Sequence, residues 1–191
     1  MNPLTSPSSF TLHALPDDAL AVLAQTHPPP RLLAHLRLVH DAALHFCEQL
    51  HQRHLLDQIN RNALLFGTAT HDIGKILVPD ELTGPGHTHE RRGQSLLLDL
   101  GVPPELARFA KTHGSWRSET ATPLEDLVVA LADTSWKGQR DNELEQRITT
   151  LLVATTAQEP WKVWSDLDGM LEAYSADATE RLLWQAQFSA R

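Results

Sequence analysis

Cysteine is almost missing from this sequence of 191 residues: Cys47 is the single one, so no disulfide can form within the chain. That usage fits a reducing compartment, and we expect a cytoplasmic protein. No apolar run reaches the about 20 residues that a membrane-spanning helix needs. The N-terminus also lacks the basic start and apolar stretch of a secretion signal. We therefore expect no membrane association.

Basic residues are outnumbered as well, with 16 Lys and Arg against 24 Asp and Glu and a net charge of −8. The chain has no Lys/Arg cluster, so it is a poor candidate for binding duplex DNA or RNA. A small anion could still bind at a local positive centre such as a metal ion. Histidine, by contrast, is abundant at 11 residues, and imidazole groups are therefore the first candidates for a binding site.

The sustained alternation that is typical of β-strands is absent, and helical periodicity takes its place. Proline and glycine separate the helical segments. The predicted helices cover about residues 16–25, 31–54, 57–72, 89–100, 103–113, 123–136, 142–157, 160–174 and 177–188. The prediction is an all-α globular domain over residues 16–140, preceded by a flexible arm (1–15) and followed by C-terminal helices (141–191) packed on it. Trp161, Trp164 and Trp184 are expected to fill that packing.

Within residues 64–76 an apolar helical run ends in the sequence HDIGK, which places His71 beside Asp72. Neighbouring helix residues point about 100° apart, so both can reach one centre only if it lies close to the helix, as a metal ion would. Imidazole nitrogen and carboxylate oxygen are ordinary ligands of first-row metals. A second pair, His40-Asp41, lies in mid-helix and roughly 140° around the helix from His35. We expect it to be solvated surface.

Four further residues carry the same chemistry at helix ends or on apolar faces. His35 lies in the apolar stripe of the first long helix, His89 opens a helix and His113 ends one. Asp133 follows the strongly apolar run VVALA, where a buried carboxylate is costly without a cation or several donors. With His71 and Asp72 they give four imidazoles and two carboxylates. This set suits two metal ions that share a bridging carboxylate.

The order H…HD…H…H…D resembles the HD-domain metal-dependent phosphohydrolases, in which HDIGK is a common form of the signature. The resemblance covers about residues 31–138, and the segment LADTSWKGQR is similar to a bacterial subgroup of predicted phosphohydrolases. It implies a single all-α HD-domain bundle. The implied ligands are His35, His71, Asp72 and Asp133 for a first metal and Asp72, His89 and His113 for a second. Neighbouring His87 is the alternative to His89.

The resemblance also implies a reaction. Two metals can activate a shared water and hold phosphoryl oxygens for in-line attack. The expected activity is hydrolysis of a phosphate ester or anhydride, with a nucleotide as the favoured substrate. Asp72 and Lys75 are the candidate catalytic residues, and the candidate substrate-binding residues are Lys75, Lys137 and Arg140. One or two divalent ions of iron, manganese, zinc, cobalt or nickel would suit the ligands.

Two other functions share these residues. Some proteins with this ligand set resemble mixed-valent di-iron oxygenases, and a non-catalytic regulatory domain could keep the metal for structure alone. Cleavage of cyclic dinucleotides of the HD-GYP type is disfavoured, because Gly-Ser-Trp-Arg follows His113 and the Gly-Tyr-Pro segment is lacking. Exposed tryptophan on the C-terminal helices could form the face of a homodimer.

Overall fold

The computed structural model describes residues 3, 5–6, 10–55, 59–118 and 121–189, and within these ranges the chain is helical with no strand. The all-α prediction is therefore confirmed. The α-helices are α1 (Asp17–Thr26), α2 (Pro30–Gln52), α3 (Arg61–Thr70), α4 (Thr88–Asp99), α5 (Pro104–Ala107), α6 (Phe109–Ser115), α7 (Leu124–Ser135), α8 (Asn142–Thr156), α9 (Pro160–Ser175) and α10 (Ala178–Ala186). Three 3-10 turns lie between them at Ile73–Leu77, Pro79–Leu82 and Trp116–Ser118.

The long helix α2 is central, since it packs against α3, α7, α9 and α10. It begins at Pro30, a residue whose fixed φ suits the first helical position. Helix α3 begins after Asn60, whose side chain accepts a hydrogen bond from the backbone of Ala63 and so caps the helix. Helices α4 and α6 then pack against each other beside the turn that follows α3. Together these elements surround the HDIGK segment.

One predicted helix, residues 103–113, is divided in the structure into α5 and α6. The division lies at Arg108. Its guanidinium donates a hydrogen bond to the carbonyl of Glu105 and forms an ion pair of 2.9 Å with Asp126. In an uninterrupted helix the Glu105 carbonyl would accept from the backbone N–H of Phe109. The side-chain contact therefore takes the place of a helical hydrogen bond.

The C-terminal helices join the same packing. Helix α8 contacts α7 and α9, and α10 contacts α2. Trp184 is buried as expected, with its ring 5.0 Å from that of Phe188. The expectation for Trp161 and Trp164 is wrong, because their exposed fractions are 71% and 54%. The buried stripe of α9 runs through Val163, Leu167, Met170, Leu171 and Tyr174 instead, and both tryptophans lie off it. A homodimer through this face stays a prediction.

The described part of the predicted arm contacts α2. Leu12 and Leu15 are buried, and the guanidinium of Arg37 donates a hydrogen bond of 2.7 Å to the carbonyl of Pro3. No described helix combines the length and apolar character needed to cross a bilayer. The cytoplasmic location stays a prediction.

His40 is not on solvated surface, contrary to the expectation, since only 2% of it is exposed. Helix α2 is covered on several sides, so a residue outside its main apolar stripe is buried too. Burial lowers the pKa of His40 to about 4. The folded protein therefore keeps this imidazole neutral at pH values where the unfolded chain, with a pKa of about 6.5, takes up a proton.

We expect His40 to make the protein sensitive to acid. Stability should fall as the pH drops from about 6.5 to about 4, by about 3 kcal/mol in total, because the unfolded state binds one more proton over this interval. Urea unfolding of the wild type and of His40→Gln at pH 7 and pH 5 measures the difference. His87→Gln serves as the control, since that side chain is 84% exposed. An unchanged pH dependence in His40→Gln would contradict the assignment.

Candidate metal centre

The six predicted ligands, which come from five different helices or turns, lie together in the structure. His35 comes from α2, His71 and Asp72 from the end of α3, His89 from α4, His113 from α6 and Asp133 from α7. Two overlapping triads of these residues have ligand atoms within 4.8 Å of one another. The triads are His35, His71 and Asp133, and His71, Asp72 and His113.

Asp72 lies at the centre, and its two oxygens face different partners. Oδ2 is 3.1 Å from Nε2 of His35 and 3.7 Å from Nε2 of His71. Oδ1 is 3.0 Å from Nε2 of His89 and 3.4 Å from Nε2 of His113. A carboxylate with two imidazoles on each oxygen has the arrangement of a bridge between two ions.

Asp133 completes the group around Oδ2. Its Oδ1 is 3.2 Å from Nε2 of His35 and 3.7 Å from Nε2 of His71. The His35 and His71 Nε2 atoms are themselves 3.3 Å apart. Potential ligand atoms of His35, His71 and Asp133 therefore lie together beside Asp72 Oδ2, and those of His89 and His113 both lie beside Asp72 Oδ1.

The other ring nitrogen fixes which tautomer faces the centre. Nδ1 of His71 is 3.0 Å from the carbonyl of Thr68, and Nδ1 of His113 is 3.2 Å from the carbonyl of Phe109. A carbonyl can only accept, so each Nδ1 donates, and in the neutral ring each Nε2 carries a lone pair. These nitrogens point toward carboxylate oxygens, which also only accept. Such a cluster of acceptors binds a cation at its centre, either a metal ion or protons shared between imidazole and carboxylate.

His89 shows the same need most clearly. Its Nδ1 donates to Oε2 of Glu81 at 2.6 Å, so in the neutral ring Nε2 carries the lone pair. Although Nε2 is 3.0 Å from Asp72 Oδ1, it is buried and has no hydrogen-bond partner among the described residues. A buried imidazole nitrogen without a donor, aimed at a carboxylate, fits a metal ligand.

The charges agree with this interpretation. Burial would raise the pKa of Asp72, but His71 and His113 hold it well below its usual range. Burial would likewise lower the pKa of His35, but Asp133 and Asp72 raise it. The carboxylates are therefore ionised, and protons compete with a metal for the imidazoles. We expect metal affinity to weaken as the pH falls.

Glu81 is a member of the site that sequence reasoning did not find. Its side chain is only 9% exposed, and it accepts backbone hydrogen bonds from Thr88 at 3.1 Å and His89 at 3.0 Å besides the imidazole of His89. Burial would raise the pKa of Glu81, but these donors lower it to about 2. Glu81 thus caps the start of α4 and orients His89 at once. Its position in the segment PDEL gives no helical pattern that could have indicated this role.

Replacing Glu81 with glutamine is expected to weaken metal binding by about 10- to 100-fold, because the imidazole of His89 loses its ionised acceptor. Titration of the purified protein with a divalent metal measures the effect. Asp80→Asn is the matched control, since Asp80 is the exposed neighbour in the same turn. If both variants bind metal as the wild type does, Glu81 does not position His89.

A cavity of about 300 Å³ opens over the centre, lined by His35, Asp72 and Lys75 together with the turn at residues 81–84. Lys75 Nζ is 2.5 Å from Asp72 Oδ2, so a cation lies directly beside the bridging carboxylate. Arg31, at the start of α2, and Gln185, on α10, complete the cavity wall. The lining is mostly polar, which suits a charged small molecule.

The other candidate residues lie elsewhere. Arg140 is bound to Glu145 at 2.6 Å and to Asp168 at 2.7 Å, and it does not line this cavity. Lys137 lies in the turn after α7 and does not line it either. The structure directs His89, not the exposed His87, toward Asp72.

Comparison with known families gives one match. A family model described as HD domain matches residues 32–135, just over half of the chain. All six candidate ligands lie within this range, with His35 near its start and Asp133 near its end. Neither the curated proteins nor the solved structures yield a match.

Proposed function

Because this chain belongs to the HD domain family, whose members are broadly metal-dependent phosphohydrolases, we propose that it hydrolyses a phosphate ester or anhydride, with a nucleotide as the favoured substrate. The HDIGK subgroup of this family is proposed on the motif alone. The observation that carries the proposal is the geometry around Asp72. Each of its two carboxylate oxygens lies close to two imidazole nitrogens, beneath a polar cavity. Divalent metal at this centre would supply a Lewis acid that activates water and neutralises phosphoryl charge.

The residues of the chain have distinct tasks in such a reaction. His35, His71 and Asp133 would hold one ion, His89 and His113 the other, and Asp72 both. Lys75 lies beside Asp72 and can donate to a phosphoryl oxygen as negative charge develops there. Water adds to phosphorus, the bond from phosphorus to the leaving oxygen breaks, and that oxygen takes up a proton.

The cavity also bears on substrate size. A volume of about 300 Å³ is at the lower end of the range for small-molecule pockets. It favours a compact substrate such as a mononucleotide over a dinucleotide. Trp116 and Trp136 are only 4% and 3% exposed and do not line the cavity, so they are not placed to stack on a base.

The test is hydrolysis by protein reconstituted with Mn²⁺, Fe²⁺, Co²⁺, Ni²⁺ or Zn²⁺. Release of phosphate is measured for nucleoside mono- and triphosphates and sugar phosphates, and conversion to the monophosphate for cyclic nucleotides. We expect turnover that a chelator abolishes and added metal restores. Metal-loaded protein that hydrolyses none of these substrates would contradict the proposal. Oxygen uptake by the iron form would instead favour an oxygenase. If the protein shows neither hydrolysis nor oxygen uptake, a regulatory metal-binding domain is favoured.

A further inference from the structure

We propose that Arg31 and Gln185, which lie outside the family-matched residues, form the specificity part of the cavity: Arg31 binds the phosphate of a phosphomonoester and Gln185 binds a hydroxyl-bearing remainder. This inference rests on the proposed function and names its substrate class. Both side chains line the same cavity as Asp72 and Lys75. The HD domain match begins at residue 32 and ends at residue 135, so neither belongs to it.

Arg31 is placed to reach the reacting group. It precedes His35 by four residues on α2, about one helical turn, so the two side chains leave the same face of the helix. The backbone N–H of Arg31 donates to the carbonyl of Ser189 at 3.0 Å, which ties the start of α2 to the C-terminal segment. Arg31 therefore lines the cavity from an anchored position, one helical turn before the candidate ligand His35.

The charge of Arg31 is available for a ligand. Arg31 is half-buried, and no carboxylate among the described residues forms an ion pair with it. Other arginines near the domain core are engaged: Arg108 pairs with Asp126, and Arg140 with Glu145. A partly buried guanidinium without a carboxylate offers a planar fork of donors that matches phosphate.

The cavity lining carries two cations, Arg31 and Lys75, and two carboxylates, Asp72 and Glu81. Asp72 is 2.5 Å from Lys75 and Glu81 is 2.6 Å from His89, so Arg31 is the cation of the lining that has no carboxylate of the described residues beside it. A phosphomonoester carries up to two negative charges, whereas a diester carries one. With metal ions offsetting the carboxylates, the additional charge of Arg31 would favour a terminal phosphate over a phosphodiester.

Gln185 is the residue of the lining that comes from the C-terminal helices. Its helix, α10, packs against α2 and is held by Trp184, whose ring is 6.0 Å from that of Phe10. A glutamine amide both donates and accepts, as the recognition of sugar hydroxyls requires. Leu32 and Leu82 are the apolar side chains of the lining, and no phenylalanine, tyrosine or tryptophan of the described residues belongs to it. Hydrogen bonding to a sugar is thus favoured over stacking on a base.

The experiment compares Arg31→Gln and Gln185→Ala with the matched controls Arg61→Gln and Gln187→Ala. Arg61 is exposed and faces Glu48, and Gln187 is an exposed neighbour on the C-terminal segment. The readouts are the affinity of the metal-loaded protein for inorganic phosphate, by calorimetry, and kcat/KM for four probes. The probes are ribose 5-phosphate, a nucleoside 5′-monophosphate, p-nitrophenyl phosphate and bis(p-nitrophenyl) phosphate.

Arg31→Gln is expected to weaken phosphate binding by about tenfold or more, the usual effect of losing a charge-assisted hydrogen bond. Arg31→Lys should restore part of that affinity. Gln185→Ala should keep the phosphate affinity but lower kcat/KM severalfold for the two hydroxyl-bearing substrates and not for p-nitrophenyl phosphate. If kcat/KM of Gln185→Ala falls more for the nucleotide than for ribose 5-phosphate, Gln185 recognises the whole nucleoside. If kcat/KM falls equally for both, Gln185 recognises the sugar alone.

Unchanged phosphate affinity in a folded Arg31→Gln would overturn the inference, and persistent phosphate release in that variant would leave the proposed function standing. If the wild type hydrolyses none of these probes and none of the substrates named for the proposed function, the proposed function fails. Calorimetry then still decides whether Arg31 binds phosphate. If Arg31→Gln does not fold, Arg31→Lys with wild-type phosphate affinity supports the charge requirement, and Arg31→Met with wild-type affinity overturns it.

Discussion

Replacing Asp72 with asparagine is expected to remove at least one metal ion per chain and to lower kcat by more than about 10³-fold. Both oxygens of Asp72 face imidazole nitrogens, so one substitution affects both halves of the centre. The amide that replaces one oxygen is a donor and cannot bind a cation. The loss of Lewis-acid activation accounts for the size of the effect.

The variant should still fold, because the new N–H₂ group can donate to lone pairs that face Asp72 in the wild type, such as Nε2 of His89. Metal content by elemental analysis and turnover by phosphate release measure the two effects. Asp41→Asn is the matched control from the second His-Asp pair, where Asp41 binds His13 at 2.7 Å. Asp72→Asn protein that keeps its full metal content would show that Asp72 is not the bridge.

Gly74→Ala is expected to destabilise the fold by about 3 kcal/mol and to displace His89. A Cβ at position 74 would lie 2.0 Å from the carbonyl oxygen of His89 and 2.5 Å from the backbone nitrogen of Gly93. Both are backbone atoms, so helix α4 would have to move away from the HDIGK turn. Overpacking of this kind costs 1–3 kcal/mol or more, and the movement would take a ligand of the centre with it.

Urea unfolding and metal titration of the same protein measure both consequences. Gly169→Ala is the control: Gly169 lies in the interior of α9, where a Cβ would meet no atom within 4 Å. Alanine there should stabilise the helix by up to about 1 kcal/mol. If Gly74→Ala unfolds at the same urea concentration as the wild type, α4 does not depend on this close contact.

The helices and the cluster of imidazoles and carboxylates could be foreseen because each leaves a local signal in the sequence. Burying a carboxylate such as Asp133 after an apolar run, or an imidazole such as His35 in an apolar stripe, costs free energy unless the group has a hydrogen-bond partner or binds an ion. The close approach of Gly74 to Gly93 gives a physical reason for the glycine in HDIGK. It was visible in the sequence only as a motif.

The residues that were missed depend on contacts distant in the sequence. Gln185 reaches the cavity from the last helix, and no local pattern relates it to residue 35. Arg31 did have a signal, since it lies one turn before His35 on the same helix. A single apolar stripe does not predict the burial of His40, because helix α2 is covered on several sides. Residue type alone places Trp161 and Trp164 in the core, but the register of α9 turns them outward.

Elemental analysis of the purified protein, after reconstitution with a divalent metal and removal of the excess, tests the central claim most directly. The geometry around Asp72 predicts two ions per chain, one for each carboxylate oxygen and its pair of imidazoles. Protein with all six ligands intact that holds no divalent ion under these conditions would contradict the account.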